Sequence, residues 1–400
     1  MSRVLISFLG TSIPGNREYR KADYKFNNNE VISSSFISDA IKQYYDVEKL
    51  ILVGTVKSMW EEVYRTFSKD LIDEDYYIKL SDFCKNANFN SKLELPEIDK
   101  IENVLGRGSK VVLIKYGLND HEISLNQELI MGIDKYLNKN DKLIVDITHS
   151  FRSLPLFLLN TLIYIQNVSP KNIVIDKILY GMLDITTELG YTPVVNLKSI
   201  MNTHEWIVGA YSFKEFGNAY KIAELLKDVD KSSYTKLKRF SDAKNLNYFD
   251  ALEKQVQELQ SFRGEGKLPT IAQKIVNPVV EEFIKKMSLT RNHFRFQYEL
   301  AQWHYNKMNY MSSYICLTES IISFACISLG LNENSKDDRD EAKDQIHTNH
   351  RFSALRSVYT KINNVRKQLA HNVVGNKSID SMIQNLRDGL ANFGNIINES

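Results

Sequence analysis

Arg366 and His371 stand five residues apart near the end of a segment with helical periodicity, residues 354–371. On an α-helix, side chains at i and i+5 are not eclipsed, yet two long ones can reach a common patch at a helix end. An arginine fork neutralises a phosphodiester bidentately, and an imidazole with an ordinary pKa of about 6.5 moves protons at neutral pH. Such a pair suits metal-free cleavage of RNA. The same spacing also suits a solvated helix face, so the surrounding elements must decide between the two.

A second set of chemistry-bearing residues occupies four loops of the first half. They are Gly10-Thr11-Ser12, Gly54-Thr55-Val56-Lys57-Ser58-Met59-Trp60, Tyr116-Gly117-Leu118-Asn119, and Asp146-Ile147-Thr148-His149-Ser150-Phe151-Arg152-Ser153-Leu154-Pro155. Glycines, hydroxyls and amides let backbone N–H groups and small donors approach phosphates and base edges. Taken singly, each loop also fits plain turn and helix-capping chemistry. Neither G-x-G-x-x-G nor G-x-x-x-x-G-K-[ST] occurs, so neither a dinucleotide nor a nucleoside triphosphate is expected in the usual way.

The elements that must carry these loops alternate. Residues 4–9, 50–53, 111–115, 143–146 and 173–180 read as strands, and 31–45, 60–67, 123–136 and 154–165 as helices. That alternation predicts an α/β domain with a parallel, doubly wound sheet and ligands at the carboxyl ends of its strands. From about residue 202 the pattern is helical: 204–216, 219–227, 247–261, 269–287, 291–308, 311–331 and 354–371. The densely charged stretch 332–348 is expected to be a polar loop or mobile insertion. Two domains result, residues 1–200 and an all-α 201–400, consistent with a length of 400 residues.

Composition narrows the class. A formal charge of +2 excludes the bulk electrostatics of a nucleic-acid coat protein or a polybasic membrane binder, so any RNA contact is local. Cys84, Cys316 and Cys326 form no CxxC or CxxH pair, which argues against a disulfide framework or zinc site and for a reducing cytoplasm. The N-terminus reads as a folded strand rather than a signal peptide. Of the apolar runs, 154–165 is too short to span a membrane, and 314–331 holds Thr318, Glu319, Ser320 and Ser323; both are expected as buried helices. Glu319 is then either a paired core carboxylate or a site residue. Arg291-x-His293 and His347-x-x-His350-Arg351 read as surface or turn clusters, not metal sites.

The segment 146–155 resembles the Asp-x-Thr-His-Gly-Phe-Arg-x-Leu-Pro signature of the CARF-HEPN proteins of type III CRISPR systems. Supporting matches are Gly54-Thr55 with Ser58 and Trp60, Tyr116-Gly117-Leu118-Asn119 with Glu122, and Tyr180-Gly181 followed by Thr192-Pro193-Val194-Val195-Asn196-Leu197. They cover most of the first two hundred residues, and Arg366-x4-His371 falls where that family's HEPN nuclease motif belongs. Two departures stand out: Ser150 replaces the usual glycine, and Lys367 follows the arginine where asparagine, aspartate or histidine is common.

The resemblance implies a Rossmann-like CARF domain that senses a cyclic oligoadenylate, followed by a HEPN domain that cuts RNA, in a homodimer. It calls for no cofactor, no membrane and no stable protein partner. A ligand with rotational symmetry suits a twofold interface presenting the same loops twice. On that basis Thr11, Ser12, Ser58, Thr148, Ser150 and the Gly10 amide are expected to bind phosphates and sugars, with Thr55 and Asn119 beside them. His149 and Arg152 would add charge-assisted bonds, and Trp60 or Phe151 would stack on adenine. Asp146 also fits a helix cap, Phe151 a core position and Pro155 the first turn of a helix. In the second half a 2′-hydroxyl of single-stranded RNA would attack in line, leaving 2′,3′-cyclic phosphate and 5′-hydroxyl ends, with His371 as general acid or base and Arg366 stabilising phosphoryl charge. The alternatives are a non-catalytic regulator that binds the cyclic ligand, and a sensor that also degrades it.

Overall fold

The structure is a computed structural model that describes residues 2–11, 19, 21–149, 151–260, 268–288, 292–371 and 378–399. The chain divides into two compact units, residues 1–201 and 202–400.

The first unit is built on strands β1 (Arg3–Phe8), β2 (Ala22–Lys25), β3 (Val31–Ser34), β4 (Lys49–Gly54), β5 (Lys110–Leu113), β6 (Lys142–Asp146), β7 (Val174–Gly181) and β8 (Thr192–Asn196). They form one sheet in the order β3-β2-β8-β7-β6-β1-β4-β5. Five neighbours, β7-β6-β1-β4-β5, run parallel as the sequence predicts. The extension departs from that expectation: β8 is antiparallel to β7, β2 parallel to β8, and β3 antiparallel to β2.

Helices cover both faces, which is why the central strands read as unbroken apolar runs rather than alternating ones. One face of the sheet, with Leu5, Leu50, Leu52 and Leu113, packs on α1 (Ile37–Tyr45), α2 (Trp60–Ser68), α3 (Glu74–Asn86) and α4 (Ile98–Leu105). The other, with Val4, Ile6, Val53 and Val145, packs on α5 (Asp120–Met131) and α6 (Leu154–Asn167). The expected helix over 31–45 is corrected at its start: residues 31–34 are strand β3, because a short edge segment takes its state from the neighbour it pairs with. A single turn, α7 (Thr186–Leu189), precedes β8.

The second unit is helical among the described residues. Helix α8 (Ser199–Phe216) enters it, and α9 (Tyr220–Leu226), α10 (Lys231–Asn245), α11 (Phe249–Leu259), α12 (Thr270–Ser288), α13 (His293–Asn306), α14 (Tyr310–Leu329), α15 (Lys336–Thr348), α16 (Ser353–Ala370) and α17 (Ile379–Glu399) come after it. Their apolar stripes share one core that includes Phe213, Phe240, Val256, Val276, Leu300, Leu317, Ile362 and Phe393. Residues 332–348, expected as a loop, hold helix α15. Ser335 caps it, accepting from the Asp338 amide, and Ala342 and Ile346, four apart, are fully buried, while most of its charges face water and Arg339 turns to Glu319 of α14. Among the described residues α14 is the helix long and apolar enough to cross a membrane by length and composition; 67% of its apolar 18-residue stretch is buried in this core.

Candidate functional site

Parallel pairing brings the carboxyl ends of β1, β4, β5 and β6 to one edge of the sheet, so the four loops meet there. The first two are stitched together. Thr11 and Ser58 form an isolated bridge, the Met59 amide donates to the Gly10 carbonyl at 3.1 Å, and Ser58 Oγ donates to the Leu9 carbonyl at 2.9 Å. Gly54 makes this approach possible, since a Cβ there would lie 2.8 Å from Ser58 Oγ and 2.9 Å from the Trp60 ring.

The fourth loop is organised by Asp146. Its wholly buried carboxylate accepts from Ser7 Oγ at 2.6 Å, from the Thr148 amide at 3.0 Å and from Thr148 Oγ1 at 2.6 Å. Thr148 Oγ1 in turn accepts the Gly181 amide at 2.7 Å, which ties the loop to β7. Asp146 therefore shapes the loop and does not cap the following helix; α6 starts with Pro155 in its first turn. Burial pushes the Asp146 carboxyl up, while the Ser7 and Thr148 donors and then the His149 imidazole pull it down.

His149 closes the circle. A Cβ on Gly10 would lie 3.5 Å from its Cβ, so the first and fourth loops touch. Its Nε2 is buried with no hydrogen-bond partner among the described residues. Burial holds the imidazole below its ordinary pKa, partly offset by Asp146. The third and fourth loops meet where the Tyr116 and Phe151 rings lie 5.7 Å apart, tilted.

The residues predicted for the ligand thus sort by direction. Thr11, Asn119, Phe151 and Arg152 are exposed, and Gly10, Thr148 and His149 are half-buried. Asn119 caps α5, accepting from the Glu122 amide at 3.0 Å. Phe151, 41% exposed, is not a core residue. Thr55 and Ser58 are buried beneath the rim as its support. Trp60 is corrected: wholly buried, with Nε1 donating to the Thr55 carbonyl at 2.8 Å, it has no ring face open for stacking. Ser12 and Ser150 lie outside the described residues. Ser7, a lone hydroxyl inside an apolar strand, was not among the predicted site residues, and Tyr116 was named only as part of its loop and family match, not as a ring that meets Phe151.

In the second unit Arg366 is half-buried on α16, and His371 is the exposed C-cap of the same helix, its amide bonded to the Lys367 carbonyl at 3.0 Å. The arginine turns back along the helix. Its Nε and Nη2 both donate to Asn363 Oδ1 at 3.1 Å, and Asn363 Nδ2 donates to the Tyr359 hydroxyl at 3.2 Å. Burial raises the Tyr359 phenol pKa against the opposing Arg366 charge. No hydrogen bond or ion pair joins Arg366 to His371 among the described residues. Asn364, one position from this chain of contacts, is exposed. Glu319 pairs with Arg339 of α15, the paired-carboxylate reading. His293 bridges to Glu253 at 2.7 Å and His347 packs on Tyr359, while Arg291 lies outside the described residues. Among the described residues no group of three or more His, Cys, Asp or Glu is placed to hold a metal ion.

Residues 4–183 match the family model of the CARF domain of CRISPR system endoribonuclease Csx1, and residues 202–291 that of the second domain of CRISPR-associated protein MJ1674. The chain is 34% identical over 419 residues to CRISPR-associated protein MJ1674 of Methanocaldococcus jannaschii, covering 98% of this chain and 66% of that protein. A solved structure, Enterococcus italicus Csm6 bound to cyclic hexa-2′-fluoro-hexa-dAMP, aligns over 99% of this chain and 95% of its own, with 13% identity and a TM-score of 0.39.

Proposed function

The chain is a CARF-containing protein of the type III CRISPR-associated kind, and from that premise we propose that its first half binds a cyclic oligoadenylate at the strand-end rim and its second half then cleaves single-stranded RNA. One observation carries the reading: four loops converge at the carboxyl ends of parallel strands, inside the segment that matches the Csx1 CARF model, with a buried imidazole nitrogen at their junction that has no partner among the described residues. Exposed Thr11, Asn119, Phe151 and Arg152, with the Gly10 backbone and His149, supply the contacts; Asp146, Thr148, Thr55 and Ser58 hold their shape.

In the second half His371 moves the proton of the attacking 2′-hydroxyl or the leaving 5′-oxygen. Arg366 stabilises the charge on the phosphoryl oxygens, giving 2′,3′-cyclic phosphate and 5′-hydroxyl ends without a metal. The working form is a cytoplasmic homodimer in which ligand binding favours the cleaving state, which requires the ligand to bind that state more tightly. A non-catalytic regulator is the second reading, favoured by the direction of Arg366, which is bonded to Asn363 rather than turned to His371. Cleavage of the ligand by the sensor itself is a third, supported by the His149 imidazole at the junction of the loops, whose buried Nε2 has no hydrogen-bond partner among the described residues.

The test is cleavage of a fluorescent single-stranded RNA in EDTA, with cyclic tri-, tetra- and hexa-adenylate supplied separately to wild type and His371→Ala. Cleavage switched on by one ring size and abolished by His371→Ala supports the proposal. Ligand binding without cleavage selects the regulator, and linear products of the ligand select the third reading.

A further inference from the structure

Arginines that stabilise phosphoryl charge work best when the guanidinium is already aimed, because an unrestrained side chain must give up about 2 kcal/mol of rotamer freedom on binding. Arg366 is aimed by a residue that nothing about its spacing to His371 would single out. Asn363 lies three positions earlier, on the same face of α16, and is only 7% exposed. Its amide oxygen receives Nε–H and Nη2–H together, both at 3.1 Å. Its amide nitrogen is committed to the hydroxyl of Tyr359, itself 4% exposed and packed edge-on against the His347 ring at 5.6 Å. Flipping that amide would turn its N–H groups onto the guanidinium donors, so the chemistry fixes which end faces Arg366.

We propose that Asn363 is a positioning residue for Arg366: it occupies the Nε–Nη2 edge of the guanidinium and leaves the Nη1–Nη2 end to grip two oxygens of a phosphodiester. A guanidinium has five N–H donors in a planar fork, and an edge saturated by one buried acceptor is closed to substrate. The remaining donors all belong to Nη1 and Nη2, and two of them, one on each nitrogen, point the same way with the spacing of two phosphoryl oxygens. Tyr359 acts one step further back, keeping the Asn363 amide from rotating. This inference rests on the RNA-cleavage reading above and specifies how that site holds its substrate.

The experiment uses the full chain with the activating ring size and the same RNA, comparing wild type, Arg366→Ala, Asn363→Ala, Asn363→Asp and Tyr359→Phe. Asn363→Ala is expected to lower kcat about 10- to 100-fold, less than outright loss of a charge-stabilising donor, while KM moves little because Arg366 still attracts phosphate. Asn363→Asp restores most of the rate, since a carboxylate oxygen accepts the same edge, and Tyr359→Phe falls between. In ¹⁵N spectra the Arg366 Nε–H signal is protected from exchange in wild type and in Asn363→Asp and exposed in Asn363→Ala. If Asn363→Ala fails to fold by thermal melting, the Asp and Phe variants carry the same comparison. A wild-type kcat in Asn363→Ala, with Arg366→Ala inactive, overturns the role of Asn363 alone; so does an Asp variant as slow as Ala. Should wild type leave RNA intact with every ring size, the RNA-cleavage reading fails first and this role falls with it.

Discussion

Ser7 Oγ donates a 2.6 Å hydrogen bond to Asp146 Oδ2 with both residues wholly buried, joining β1 to the end of β6 directly beneath the rim. Because the other carboxylate oxygen holds the Thr148 amide and hydroxyl, removing Asp146 strands the buried Ser7 hydroxyl and two half-buried donors of Thr148 at once. Each stranded donor costs about 1–3 kcal/mol. Asp146→Ala is therefore expected to destabilise the first unit by roughly 3 kcal/mol or more and Ser7→Ala by about 1–2 kcal/mol, read from urea midpoints. Equal effects for the two would mean that Asp146 is not the hub.

The burial of Trp60 separates support from contact. Trp60→Phe keeps most of the buried ring and loses the bond to the Thr55 carbonyl, so about 1 kcal/mol of stability should go. Affinity for a cyclic oligoadenylate, measured by calorimetry, should stay within about twofold, whereas Arg152→Ala, at an exposed cation, should weaken it about tenfold. Loss of most of the affinity in Trp60→Phe would put the indole in the ligand site after all.

Gly181 ends β7 against Thr148 and Ile37. An added Cβ would sit 2.6 Å from Ile37 Cδ1 and 3.3 Å from Thr148 Oγ1. Gly181→Ala should cost about 1–3 kcal/mol by overpacking, and by displacing Thr148 it should also weaken ligand binding. Ile37→Val in the same chain should recover part of the stability; no recovery would argue against the steric account.

Two histidines of the second unit, His304 buried and His293 half-buried, give opposite pH dependences. His304 is buried, with both ring nitrogens unpartnered among the described residues and Lys244 nearby, and burial followed by that charge lowers its pKa from 6.5 to about 3. A lowered base is neutral in the folded state while the unfolded chain takes up a proton. Its contribution is thus whole above about 6.5 and lost as pH falls toward 3, at up to about 1.4 kcal/mol per pH unit. His293 runs the other way: its bond to Glu253 raises its pKa, so its contribution is whole below about 6.5 and lost as pH rises through the folded-state value. Urea titrations between about pH 4 and pH 8 on His304→Leu and Glu253→Gln should flatten the acid and alkaline limbs respectively. An unchanged acid limb in His304→Leu would assign it to other groups.

The five parallel strands were legible because both sheet faces are covered, leaving unbroken apolar runs that end in glycine or polar loops. The extension was not. Four residues such as Val31–Ser34 carry too little pattern to outweigh the helical phase of the adjoining α1, and their state is decided by pairing with β2. Helix α15 was hidden by its charge, since Ala342 and Ile346 alone reveal its inner face. Helix α17 was passed over although Leu386, Leu390, Phe393 and Ile397 repeat with helical spacing. At the rim, residue types pointed to loops that the parallel sheet does bring to one edge, but not to which side chains turn inward: the sequence shows Trp60 and Phe151 alike, and only packing buries one and exposes the other. Asn363 could have been found as an amide one turn before Arg366 on a shared face.

The burial of α14 also constrains synthesis. This membrane-like helix emerges from the ribosome before α16 and α17, which pack against it, have emerged. Until they arrive it is a nascent segment with the hydropathy of a signal anchor, open to chaperones, to aggregation and to the insertion machinery. A chain cut short after α15 should collect in inclusion bodies or membranes, even with its first unit folded.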